Sequence, residues 1–582
     1  MTEHAHDRPT FRRRSLALPA MLLAAALAAC TGDTPLQPDR AATPGEPSML
    51  VNPLCSGSGG TTHSWITVTS TQQWYASGNP HRVSGTLYVA SGGNLRMNPG
   101  VLVCFDAYSS IYAYDGGRVG ISGADTARVV LTATDPALGW GGIALTGTPS
   151  ATSTIGYARV EMVGVYNVAV YSDDAHDVVV NQTVIRQSGR AAALYAPQSR
   201  IIDSRVDTTT YRSLPAVVLG DSTRFTRTTV LDAAGIGVLV TATSGVELLG
   251  GRIEGSGDTG LEVYYSGAVF SFQPLRVTGS GGYGVEIPID ALARGYGSVA
   301  EMDSLLGNGR DTVVVTGGTL TSAAYATAGL PWRVRSTPTV GSGGSLRPQP
   351  GAKLFFDPYA GFTFSGGRLL SRGTLAAPVL WTADDPALGW YGISLQGTPS
   401  SVSFVTNTRL EHVNVNATAV ATDTDHGVVI DSTVFRQVGR AAVLLSTGSR
   451  LSRSRVDTTL NAYAPAVQLA ANARLESTLI RASSEDGVQI DASTVQIFSC
   501  EVRGSVGDGI QVVSGSPGGT EISSCNLVDN GGAGVSSSYA TDAEGNWWGD
   551  ASGPTATNGD GVSGSVDYTP WLTSAYVLPY VP

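Results

Sequence analysis

The chain of 582 residues carries 47 acidic against 36 basic residues, a formal charge of −11. Lys353 is its sole lysine and no Lys/Arg-rich stripe occurs, which excludes the phosphate-neutralising surface that nucleic-acid binding requires. Beyond residue 30 no segment is apolar and long enough to span a bilayer.

At the start of the chain Arg12, Arg13 and Arg14 precede an apolar run over 16–26, followed by Leu27-Ala28-Ala29-Cys30. Charge, apolar core and small residues in that order predict a secretory signal over 1–29. The run is shorter than the roughly 20 residues of a spanning helix, and Pro19 interrupts it. Leu27-Ala28-Ala29-Cys30 resembles the bacterial lipobox. The resemblance implies cleavage before Cys30, a diacylglycerol on its thiol as the sole membrane attachment, and a place on the outer membrane or cell surface. Residues 30–60 are rich in Pro, Gly, Ser and Thr without apolar periodicity and predict a flexible tether, so the folded body is expected to begin near Thr61.

Internal repeats dominate the remainder of the chain. Apolar residues recur at Val160, Val184, Val206, Val230, Ile253 and Val277, and again at Leu410, Val434, Val456, Ile480, Val502 and Leu527. The spacing is roughly 22 to 24 residues. After each comes a second short alternating strand, such as Gly260-Leu261-Glu262-Val263, Gly284-Val285-Glu286-Ile287 or Gly509-Ile510-Gln511-Val512. Such strands cannot bury an apolar face alone, whereas coils stacked on identical coils share one core. The expectation is all-β, a right-handed parallel β-helix of roughly 22 coils at about 4.8 Å per coil, reaching about 100 Å. Above this lies a longer period: Asp135-Pro136-Ala137-Leu138-Gly139-Trp140 returns 250 positions on as Asp385-Pro386-Ala387-Leu388-Gly389-Trp390, and Ser204-Arg205-Val206-Asp207 as Ser454-Arg455-Val456-Asp457. Two tandem modules are expected, 61–310 and 311–582, the second with a C-terminal cap.

Each module opens on a stretch seen in the second as a Gly-rich turn, Leu346, Pro350-Gly351, Leu354-Phe355-Phe356, Gly366-Gly367, Ala377-Pro378-Val379-Leu380-Trp381-Thr382 and Gly389-Trp390-Tyr391-Gly392-Ile393. The chain closes on Asn546-Trp547-Trp548-Gly549 and Val566-Asp567-Tyr568-Thr569-Pro570-Trp571. Both stretches resemble bacterial surface β-helix proteins of the pectate-lyase-like superfamily. That fold hosts lyases, hydrolases and adhesins, so the resemblance implies the fold and leaves function open. Exposed coil ends need covers, for which 547–571 and 65–75 are the candidates.

Several motifs have an ordinary reading beside the chemical one. The glycine patterns at 255–260 and 279–284 precede strands, not helices, and read as turns. Asp542, Glu544, Asn546 and Asp550 offer oxygen ligands for Ca²⁺, the one cofactor considered, but also make an ordinary cap loop. The Asp173-Asp174 and Asp384-Asp385 pairs read as surface turns, and Trp140 and Trp390 as packing residues that could instead stack on sugar rings. Cys500 and Cys525 should stack on adjacent coils at a spacing that allows a disulfide, although parallel side chains oppose its torsion, and Cys55 and Cys104 could pair near the N-terminal cap. Arg186, Arg190, Arg205 and Asp207 recur as Arg436, Arg440, Arg455 and Asp457. With Val184 and Val206 facing inward, each module would present Arg and Asp on adjoining coils, as an ion-pair ladder or as a duplicated site for acidic sugar groups. The expected function is polysaccharide binding or a structural solenoid at the cell surface, with a polysaccharide lyase, a glycoside hydrolase and an adhesin as alternatives.

Overall fold

The computed structural model describes residues 52–579, apart from 471, 493, 515–518 and 555–559. The signal segment, Cys30 and the tether as far as residue 51 lie outside them. Strands, mostly of three to five residues, stack in parallel over about 21 turns to form a right-handed β-helix. Among the described residues no helix is long and apolar enough to cross a membrane.

In the first module the coils build three ladders, Arg224–Leu231 and Val246–Glu254 each running through the third and the first. The first ladder runs from Thr61–Ser64 to Arg276–Thr278, the second begins at Thr67–Val68, and the third runs from Thr71–Trp74 to Val269–Gln273. Alternation decides which side chains enter the core. Val160, Ile185, Val206, Val230, Ile253 and Val277 stand in register on the first ladder and are fully buried. Val184 therefore faces outward, opposite Arg205, and in the second module Phe435 takes the inward place instead of Val434. Consecutive apolar residues in Val184-Ile185 and Val434-Phe435 leave the phase ambiguous in sequence. Between the third and first ladders a single residue in the left-handed region turns the chain, at Tyr157, Gln182, Asp203 and Arg227 on successive coils.

Large aromatics fill the interior. Phe105 stacks on Trp140 at 4.0 Å and Phe356 on Trp390 at 4.2 Å. Both indole nitrogens donate to a backbone carbonyl at 2.9 Å, of Glu161 and Glu411 respectively, and both rings are fully buried. Trp140 and Trp390 are thus packing residues, closed to sugars.

Helical chain interrupts the solenoid between the modules. Ile289–Gly295 follows Pro288 and carries Asp290 in its first turn, where the dipole favours a carboxylate; Val299–Met302 and Asp303–Leu305 complete the insert. The first of these helices packs against Val269–Gln273 on one side and against Thr319–Leu320 and Ala323–Ala326 on the other. The first and third ladders stop below the insert, and two new ladders start above it. Only the second ladder continues, pairing Tyr283–Ile287 with Arg310–Val315, then Trp332–Val334 and Lys353–Phe356. It reaches Asn526–Val528 as an uninterrupted row of 20 strands. Lys353–Phe356 is the duplicate of Leu102–Phe105, which lies on the first ladder. The second module is therefore turned by one face about the axis relative to the first.

At the N-terminal end, Cys55 is bonded to Cys104 and the Asn52 amide donates to Thr132 and to the Ala133 carbonyl. The folded body thus includes 52–60, which composition alone assigns to the tether. The rings of His63, Trp74 and His81 stack across the first coils, whereas Trp65 is exposed. At the other end Val562–Asp567 adds a last strand, Trp548 is buried beneath Tyr568, and Tyr576 reaches back to Asn526. Cys500 and Cys525 are buried free thiols on neighbouring coils.

Candidate functional site

The duplicated arginines fall into two separate places. On the first ladder Arg159 and Arg186 converge on the buried Glu161 carboxylate at 3.0 and 2.7 Å, and Arg205 pairs with Asp207 at 2.8 Å. The second module repeats the pattern on the second ladder, with Arg409 paired to Glu411 at 2.5 Å and Arg455 to Asp457. Arg436 is exposed beside Glu411, with no ion pair among the described residues. Arg190 and Arg440 do not join these groups. Gln187 and Gln437, both at a φ of 52°, turn the chain onto the next face, where Arg190 sits near Tyr195 and Arg440 donates to the Gln468 side chain. Because the modules differ by one face, the two copies of the Arg–Asp group also point in different directions.

Beside the first group a loop closed by Ala124 and Ala127 overhangs the left-handed turns and walls a cleft of about 860 Å³. Its charges are Asp125, Arg128, Asp203, Arg205 and Arg227, with Arg227 forked onto Asp203 at 2.7 and 2.8 Å. The matching cleft of the second module has Leu375 for Asp125 and Pro378 for Arg128, and shrinks to about 110 Å³.

Two buried Ser–His pairs also repeat. Ser153 Oγ lies 2.8 Å from His176 Nε2, and Ser403 Oγ lies 2.9 Å from His426 Nε2. Each imidazole Nδ1 meets a carbonyl, of Thr146 or Gln396, so Nε2 accepts from the serine hydroxyl. Each serine oxygen also accepts a backbone N–H, from Val119 or Leu369. Burial holds both imidazoles below the usual histidine range. All four side chains are inaccessible, so these networks are structural. Asp173 serves the same turn by accepting from Gly147 and His176 amides.

Three of the four oxygen residues near the C-terminus serve local turns. Asn546 is buried, accepting from the Cys525 amide and donating to the Ile522 and Ala543 carbonyls, while Asp542 and Asp550 each cap an adjacent turn. Among the described residues no group of three or more His, Cys, Asp or Glu is arranged to hold a metal ion.

The uninterrupted second ladder presents the longest single face. Its outward positions in the first module read Tyr88, Tyr112, Ala144, Tyr171, Ala193, Val218 and Leu239, strand by strand. Tyr88 and Tyr112 meet edge to face at 6.1 Å, as do Tyr171 and Tyr195. Ala193, Val218 and Leu239 form an apolar floor beneath the last of these rings. Directly after Leu239 the same column continues with Glu262 and Glu286 in register. Glu286 is ion-paired with Arg335, and Arg333 with Asp357 at 2.7 Å and Asp384 at 2.9 Å. The Tyr283 hydroxyl accepts from Arg310 at 2.8 Å and from Arg333 at 3.4 Å, contacts that hold the phenol below its ordinary value against the opposing effect of burial. Glu262 forms no ion pair among the described residues. Burial, then the Glu286 and Asp258 charges, push its carboxyl up to about 7 against the weaker pull of Arg335. In sequence Glu262 and Glu286 are two outward strand residues among many; only their shared register at the junction sets them apart.

This architecture defines a right-handed parallel β-helix protein with one face running through both modules. A family model described as right handed beta helix region matches residues 391–547, within the second module. No curated protein matches the chain.

Proposed function

We propose that the protein is a lipid-anchored cell-surface solenoid that binds extracellular polysaccharide along the second ladder. The tyrosine column carries this reading: phenol faces bury the C–H surfaces of sugars, and Tyr88 and Tyr171 stand three strands apart, about 14 Å along the axis. A chain of sugars extended along the rod meets these rings in turn. Replacing Tyr88, Tyr112 and Tyr171 together by Ala is expected to weaken retention about 100-fold in polysaccharide-containing gels, at about 1 kcal/mol per ring. The melting temperature should stay within a few degrees of wild type, because the three side chains stand outside the core. Retention equal to wild type would remove the reading.

The anchor is tested separately. Cys30→Ser should release the exported protein from membranes into the soluble fraction, whereas a variant that still sediments with membranes would exclude a single lipid anchor.

A further inference from the structure

We propose that the corner between the first and second ladders of the first module docks a short acidic segment of another protein, with Arg190 receiving its carboxylate. The proposal is independent of the polysaccharide reading, which uses the outward column of the second ladder rather than this corner.

The coil that carries Arg190 crosses the corner in the short turn 187–189, while the coils on either side cross in longer loops. Tyr166 and Tyr211 belong to those two loops and meet ring to ring at 5.3 Å, so together they bridge the coil between them. Tyr166 is 77% exposed, and Val165 beside it is exposed as well. Past the turn the chain enters the second ladder, where Tyr195 and Ile236 pack against the floor of Ala193, Val218 and Leu239.

Arg190 is the first residue of that strand. It is half-buried, its Nε has no hydrogen-bond partner, and no carboxylate pairs with it among the described residues. The Tyr195 hydroxyl, a neutral group, is the contact that supports its charge. A cation held partly out of water without a counter-charge is costly, so its presence on an apolar patch points to an anion supplied from outside.

The duplicated coils show that the fold requires none of this. Arg440 donates to the Pro465 carbonyl and the Gln468 side chain, and the Asp491 and Glu485 charges support it. In the first module Val218, Thr241 and Gly235 take the places of Gln468, Asp491 and Glu485, so both acids and the amide are gone while the guanidinium remains. Tyr166, Tyr211 and Ile236 correspond in turn to Asn416, Asn461 and Asp486. The apolar patch and the unpaired cation thus occur together in one module and are replaced together in the other.

The patch extends about 14 Å along the rod, from Tyr166 to Ile236 three coils on, and about 16 Å across it, from Arg190 to Tyr195. Its area of about 220 Å² is well below the roughly 800 Å² that each partner gives to a standard interface, so it fits a short segment. A sugar chain follows the rod in one column, whereas this patch is as broad as it is long, and Val165 and Ile236 offer nothing to sugar hydroxyls. Exposed tyrosines around an arginine are the side chains that anchor protein partners.

The test pans a displayed library of random dodecapeptides on the purified full chain, with a Tyr166→Asn, Tyr211→Asn double variant as the counter-selection. Peptides enriched by wild type alone are expected to join Asp or Glu to aromatic or aliphatic residues. Synthetic copies should lose about 30-fold in affinity when the acid is replaced by its amide, and by a similar factor against Arg190→Gln or Val218→Gln. Gln at 218 offers Arg190 the partner that Arg440 has in Gln468, so it engages the guanidinium while leaving the charge in place. The double Asn variant carries residues that the duplicated coils already hold, and its melting should match wild type. No enrichment, enriched peptides without acids, or equal affinity for the double Asn variant would overturn the proposal. Uronate oligosaccharides are run against the same variants; if they bind, lose affinity in Val218→Gln and no peptide is enriched, Arg190 takes a sugar acid and the protein partner is overturned.

Discussion

Trp390→Ala should destabilise the second module by about 3–5 kcal/mol, the range for emptying a buried aromatic site. The indole is fully buried, stacked on Phe356 at 4.2 Å and near Trp381 at 6.1 Å, and its N–H is the donor to the Glu411 carbonyl. Alanine leaves a cavity on a rigid backbone and a carbonyl without that donor, and coils above and below cannot close the gap without breaking ladder register. Trp140→Ala should cost a similar amount in the first module, where Phe105 and the Glu161 carbonyl take the equivalent places. Solenoid stability is local to neighbouring coils, so the loss is best read by hydrogen exchange or limited proteolysis around each site rather than from one global melt. Polysaccharide retention below the transition should be unchanged. Loss of retention with less than about 1 kcal/mol of destabilisation would show that these rings meet ligand after all.

Acid should weaken the protein through three neutral buried histidines. His63 is lowered to about 4 by burial first and by His81 second, and His176 and His426 are lowered by burial. A base whose folded value lies below its unfolded one binds fewer protons in the native state across the interval between them. Stability from these residues is therefore complete above about pH 6.5 and is lost as the pH falls toward the folded values. For His63 the interval corresponds to up to roughly 3 kcal/mol. Glu262 and Asp486 act oppositely, because raised carboxyls bind more protons in the folded state and favour it as the pH falls toward their unfolded values. The histidine part is isolated by comparison: with His176→Gln and His426→Gln combined, the fall in melting temperature between pH 7 and about pH 4.5 should be shallower than in wild type. Parallel curves would refute the assignment.

The repeat rhythm was enough to read the fold, because inward positions such as Val160, Val206 and Val230 must match from coil to coil or no common core forms. The phase failed only where two apolar residues adjoin, at Val184-Ile185 and Val434-Phe435. Four positions along a strand look close, so the sequence groups Arg190 with Arg186, whereas a left-handed Gln187 sends the chain around a corner. The 250-residue period revealed duplication but not rotation. That depends on how the helical insert leads the chain onward, and nothing in the repeats encodes it. The Glu262–Glu286 juxtaposition was hidden for a different reason: an outward glutamate on a strand is unremarkable until its neighbour on the next coil is known.

The interrupted ladders at the insert also set how the rod carries load. Within either module an axial pull is shared by three ladders of backbone hydrogen bonds, but between Tyr283–Ile287 and Arg310–Val315 only one ladder continues, joined by separate bonds such as Gly279–Gly307 and Gly309–Ser280 and by the flank of a short helix. Axial load on the rod would concentrate there, making the junction its seam.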